Sequence, residues 1–157
     1  MRKIIYTLPD GRMAVVHPVI NTHTNSIVSG EVVRARETLT EAEAEQRAWN
    51  KLPAEAINPR WADASEIPQD RTFRNAWVDA GTKIDHDLGK CQDITKARLR
   101  TERAPLLAAL DVEFMRALEE GKPTEAIVAQ KEALRDVTAQ VDSVTDIEEL
   151  KAITVQK

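Results

Sequence analysis

The sequence predicts an α+β chain: a small N-terminal β-hairpin plus helix lobe, an irregular aromatic connector, and a C-terminal antiparallel helical hairpin with a short final helix. Three observations predict it. Ile, Tyr, Val and Thr crowd both sides of Pro9-Asp10-Gly11; prolines, glycines and large rings mix between 53 and 90; and apolar residues recur at helical spacing beyond Cys91. The expected divisions are 1–52 for the lobe, 53–90 for the connector and 91–157 for the helical region.

The first hairpin is placed by turn chemistry. Residues 3–8 and 13–19 form the strands, proline presets φ at the first turn position, and Gly11 accepts the left-handed conformation that closes a bulged turn. Residues 27–33 supply a short third strand interrupted at Ser29-Gly30, and polar 21–26 reads as an exposed loop. A helix opens at Glu41, capped by Thr38 or Thr40 and favoured by Glu41, Glu43 and Glu45 at the positive end of its dipole; Pro53 stops it. Its apolar face is expected to include Ala42, Trp49 and Leu52.

In the connector, Pro53, Pro59, Pro68, Gly81 and Gly89 argue for irregular backbone. A short helix over 71–79 capped by Asp70 is the one regular element expected there. Yet Trp61, Phe73 and Trp77 lie in it, and such rings usually find a surface to pack on. From Asp93 a charged helix carries Ile94, Leu99, Leu106, Leu110, Phe114 and Ala117 near one stripe, with Pro105 expected to end or kink it. Gly121 ends the next segment, and the short Gly121-Lys122-Pro123 link favours antiparallel neighbours. Thr145-Asp146-Ile147-Glu148 reads as a capping box for a last helix through Ala152.

Composition narrows the function classes. Hydrophobic residues make up 42% of the chain but aromatics only 4%, and much of the remainder is alanine. Alanine buries little area, so a modest core and a monomer that leans on a partner are expected. The net charge of −4 speaks against a general nucleic-acid binder. No run of about 18 apolar residues exists to span a membrane. The apolar start ends at Leu8-Pro9, too short for a signal peptide, and Cys91 is the single cysteine; a cytoplasmic site of synthesis is expected.

Chemistry-bearing constellations are sparse. Asp85-His86-Asp87 with Cys91 has metal-ligand residue types, but neighbours on extended backbone point to opposite faces, and His17 and His23 lie far off in sequence; a solvated loop is the expectation, with no metal and no cofactor. There is no GxSxG, P-loop or GxGxxG, and paired carboxylates such as Glu119-Glu120 fit solubilising helix faces; no enzyme is expected. The basic run Lys90, Lys96, Arg98, Arg100 and Arg103 lacks aromatic interleaving, so it is expected to pair with acids around Asp111, Glu113, Glu119 and Glu120, or to face a partner, in preference to nucleic acid.

Four pieces together resemble a known family: the start at residues 1–6, the stretch Ile67 to Trp77, the helix from Arg98 to Asp111, and Lys131 to Val137. The helical part is similar to the bacteriophage tail assembly chaperones. Their arginine-rich helix, Leu-Leu-Ala with a following Asp, and Ala-Leu-Arg-Asp run are matched by Arg100, Arg103, Leu106, Leu107, Ala108, Asp111, Ala133, Leu134, Arg135 and Asp136. The chain departs from the pattern at Phe114, where a tryptophan is usual, and at Val137-Thr138, where a proline is. The resemblance covers residues 93–138 and extends more loosely back to 67.

What the resemblance implies is a non-enzymatic tail protein, assisting tail or tail-fibre assembly by protein–protein contact in the bacterial host cytoplasm. Its implied partner is a phage tail or tail-fibre protein, with a homo-oligomer as a further option. The expected contact residues are Trp61, Phe73, Arg74, Trp77, Arg100, Arg103, Leu107, Phe114 and Arg135. Two alternatives stand beside it: a structural virion component at the tail tip or fibre, and a nucleic-acid-contacting regulator using Lys90 to Arg103.

Overall fold

A computed structural model describes residues 1–28 and 31–155, with backbone alone at 25–28 and 33. It has an α+β architecture in two units, Met1–Asp85 and His86–Lys157.

In the first unit, β1 (Lys3–Thr7) pairs antiparallel with β2 (Met13–Val16), from Ile4 opposite Val16 to Thr7 opposite Met13. The turn closes as its chemistry demands. Gly11, at φ 78°, donates its N–H to the Leu8 carbonyl at 2.9 Å, and the Asp10 carboxylate accepts from the Arg12 N–H at 3.0 Å. Along β1, Ile4, Ile5 and Tyr6 are all buried, so both faces of this strand are covered. Ile5 packs with Met13, Ala62, Trp77 and Ile84. The helix α1 (Glu41–Asn50) packs on β1 and begins in a capping box: Thr40 Oγ1 accepts from the Glu43 N–H, and Glu43 accepts from the Thr40 N–H at 2.8 Å. Of its expected apolar face, Trp49 and Leu52 are half-buried, but Ala42 is exposed and Ala44 is the buried alanine.

Three expectations for this unit are corrected. Residues 21–26 are not a loop. They belong to β3 (Asn21–Val28), which pairs antiparallel with β4 (Glu31–Thr38) in a second hairpin; the interruption expected at Ser29-Gly30 in the third strand lies outside the described residues. The connector is not a separate stretch either. β5 (Ile57–Ala62) joins β1 on the side away from β2, giving the order β2-β1-β5, and 53–85 fall in the N-terminal unit. Pro59 fits because β5 is an edge strand, where a missing N–H is tolerated, and the register shifts between Ile5 and Thr7. In place of a helix over 71–79 there is one 3₁₀ turn, Arg74–Ala76, followed by β6 (Trp77–Asp79), which pairs with β7 (Ile84–His86).

In the second unit one helix, α2, runs from Leu88 to Glu119 straight through Pro105. A proline inside a helix costs about 3 kcal/mol through a lost bond and a clash. Pro105 itself is exposed, and buried residues on either side, Leu99 and Ala117, hold the helix down. The helix ends in a Schellman arrangement: Lys122 N–H reaches the Ala117 carbonyl at 2.8 Å and Gly121, at φ 64°, the Leu118 carbonyl at 3.2 Å. α3 (Glu125–Asp136) then returns antiparallel along α2, as Lys131 beside Asp111 and Arg103 beside Leu134 show. A 3₁₀ turn, Gln140–Ser143, leads to α4 (Ile147–Ala152), capped by Asp146 and not by Thr145. Cys91, Leu99, Leu134, Val137, Val141, Leu150 and Thr95 are buried here.

Candidate functional site

The basic run on α2 faces inward chemistry more than outward. Arg98 donates from Nη2 to the Ile153 carbonyl at 2.6 Å and also reaches the Leu150 and Lys151 carbonyls, all at the end of α4. Arg103 donates from Nη1 to the carbonyls of Leu134 and Arg135 at 3.2 and 2.7 Å, at the end of α3. The last carbonyls of a helix have no partner within it and carry partial negative charge, so a guanidinium satisfies both needs. Lys96 pairs with Asp142. The expected partners Asp111, Glu113, Glu119 and Glu120 are thus not the ones these three use; Asp111 pairs instead with Lys131, whose ammonium also sits 5.2 Å from the Phe114 ring centroid. Arg100 and Arg135 are exposed, and Leu107 and Phe114 are half-buried.

The aromatic contact residues divide. Phe73 and Trp77 are 2% and 1% exposed, so they belong to the core and are corrected as contact residues: a ring needs a dry surface, and here the surface is the protein's own. Arg74 is exposed between them. Trp61 is half-buried, stacked on Trp49 with centroids 5.2 Å apart and with the Arg2 guanidinium 4.6 Å from its ring centroid. Arg2 in turn binds Glu45 at 2.7 Å, pulling that carboxyl below its usual range and tying the first strand to α1.

A second polar knot joins β5 to β6. Arg60 makes paired bonds to Asp79 at 2.8–3.1 Å and one to Glu66 at 2.8 Å. Hydrogen bonds from Arg60 hold Asp79 below its ordinary pKa; Glu66 is lowered first by the Asp63 N–H and then by Arg60. The metal-type cluster dissolves into structural parts. Asp87 caps α2 by accepting from the Lys90 N–H, Asp85 pairs with Lys83, and Cys91 is fully buried with its thiol pushed up by burial and by Asp87. Among the described residues no group of three His, Cys, Asp or Glu could hold a metal ion. His17 lies exposed just beyond β2. No helix among the described residues is long and apolar enough to cross a membrane.

What the sequence did not single out is the outer side of α2. Val112, Met115 and Leu118 are 51%, 55% and 53% exposed, and the first two line a shallow hollow with Asp111, Arg116 and Glu119. At 100° per residue Met115 points away from buried Ala117, so the second half of α2 is apolar on two sides. On its inner side a groove of about 740 Å³ is lined by Leu106 and Leu110 of α2, Ala133 and Val137 of α3, and Ile153 and Val155 after α4, with Glu113 as its acid. The inner stripe was legible by period; the outer one was hidden because a helix with two apolar sides has no single periodic face. Set against known proteins, the chain matches no family model, and neither the curated proteins nor the solved structures give a significant match.

Proposed function

We propose that the chain is a non-enzymatic bacteriophage tail protein that assists tail or tail-fibre assembly by protein–protein contact. The observation that carries the proposal is the exposed apolar stripe Val112, Met115 and Leu118, which backs onto the apolar groove of the same helix pair. Clustered exposed apolar side chains on a small charged protein suit the shielding of a partner's apolar surface. The resemblance of residues 93–138 to tail assembly chaperones supplies the class of partner, a tail or tail-fibre protein met in the host cytoplasm. On this reading Leu107, Phe114 and Arg135 remain contact candidates, whereas Phe73 and Trp77 do not. The protein acts without a cofactor.

The test is retrieval of tail proteins by the tagged chain from phage-producing cells, set beside the composition of purified particles. An assembly factor is captured with its partner and missing from the particle. Stoichiometric presence in the particle would favour the second reading, a structural component at the tail tip or fibre. That reading draws on the β3–β4 hairpin, whose outer edges have no partner strand among the described residues. A nucleic-acid regulator draws less support than the basic run suggests, because Lys96, Arg98 and Arg103 are engaged within the unit.

A further inference from the structure

We propose that the β3–β4 hairpin takes up an extended, acidic segment of a partner protein as a third strand along the outer edge of β4. The proposal rests on the reading that the chain works by protein contact, and it names where and with what chemistry. Two strands of eight residues pair from Asn21 opposite Thr38 to Val28 opposite Glu31, and no further strand joins them among the described residues. Among the described residues of its unit, no other element makes more than glancing backbone contact with this ribbon. A lone two-stranded ribbon is marginal in water, and alternate residues of each outer edge aim unpaired N–H and C=O groups outward. A third strand would satisfy one of those edges.

Charge says which strand. Residues opposite one another in an antiparallel pair share a face, as do residues two apart. His23 lies opposite Arg36, and Arg34 is two residues from Arg36, so all three share one face, and all are exposed. Glu31 and Glu37 fall on the other face, where Glu37 is already held by Arg47 at 2.9 Å. The ribbon is therefore sorted by sign, and the free face is basic. A strand laid beside β4 with acids at alternate positions sets a carboxylate against Arg34 and another against Arg36. A second copy of the chain fits badly: pairing β4 with itself antiparallel about a two-fold axis sets Arg34 or Arg36 against one another or against themselves in the central registers. A duplex would meet these two guanidiniums on a chain of net charge −4, which disfavours it over a protein strand.

The full chain is titrated into three labelled probes followed by fluorescence anisotropy: a blocked peptide alternating glutamate and valine, its lysine counterpart, and a short DNA duplex. The glutamate peptide should bind about tenfold more tightly than the lysine peptide, the sum of two favourable and two avoided cross-strand pairs. Backbone hydrogen exchange across 31–38 should slow when it binds. The double variant Arg34→Glu, Arg36→Glu, whose exposed positions leave the fold intact by circular dichroism, should reverse the order of the two peptides. Equal binding of the peptides, tighter binding of the duplex, self-association through β4, no binding, or unchanged exchange in β4 would each overturn the proposal. Retrieval from phage-producing cells separates it from the functional reading. If wild type and double variant capture the same tail protein equally, the ribbon is not its contact and the assembly role stands; if neither captures any, the assembly role falls and the peptides still decide the ribbon.

Discussion

Replacing Thr95 with valine should stabilise the C-terminal unit. Thr95 is 1% exposed, and its Oγ1 has no hydrogen-bond partner among the described residues. Burying an unpaired hydroxyl costs about 1–3 kcal/mol. Valine keeps the β-branched outline, so no cavity opens, and its helix propensity is close to that of threonine. The expected gain is about 1 kcal/mol at the low end of that range. In a unit of this size such a gain raises the midpoint by about 4–8 °C. The assay is thermal melting followed by far-ultraviolet circular dichroism, whose helical signal comes mostly from α2 and α3. Thr95→Ser is the control: it keeps the hydroxyl, loses the methyl, and should melt below wild type. A Thr95→Val chain that melts several degrees lower than wild type would refute the reasoning, because the hydroxyl would then be donating to a carbonyl of the preceding turn.

Cys91 is fully buried with a raised thiol pKa, so a thiol reagent should label it slowly in the native protein and fast in denaturant; rapid native labelling would contradict the packing of α2. Asp79 and Glu66 have folded pKa values below their ordinary ones, so the stability they lend is complete above about pH 5 and is lost as pH falls through the folded values. Arg60→Met should therefore destabilise the N-terminal unit at neutral pH and flatten its acid limb; tryptophan fluorescence reads this, since all three tryptophans lie in that unit, and an unaltered acid limb would count against it. Val112→Glu with Met115→Glu should leave the helical signal unchanged, since both side chains are exposed, yet abolish retrieval of the partner proposed above; undiminished retrieval would move the contact elsewhere.

Much of the fold was legible where local chemistry is decisive. Pro9-Asp10-Gly11, the α1 cap narrowed to Thr38 or Thr40 and found at Thr40, and Gly121 each fix a backbone event by their own side chains or lack of one. The β3–β4 hairpin was not legible in the same way. Its strands show no alternation of apolar and polar residues because little of either face is buried, and Asn, Ser and Thr in a row read as loop. β5 was hidden by Pro59, whose meaning depends on whether the strand sits at an edge, a property of the sheet and not of the segment. Of the candidate site, the aromatic type of Phe73 and Trp77 marked a packing surface correctly but could not say that the surface is internal. Val112, Met115 and Leu118 were overlooked because the inner stripe of α2 already accounted for its period.

The division of labour along α2 follows from the same facts. Its first half carries the cations, and Lys96, Arg98 and Arg103 spend them on Asp142 and on the helix-end carbonyls of α4 and α3. Those carbonyls lie at helix ends, where the helix itself supplies no partner, so these three cations of the basic run serve the folding of the unit. Its second half carries Val112, Met115 and Leu118, whose side chains are exposed. The last clamp, Arg103, lies nine residues before Val112, roughly 14 Å at the rise of an α-helix. That spacing leaves the outer stripe free to change while the clamps keep α3 and α4 in place, which is what the contact role proposed above requires.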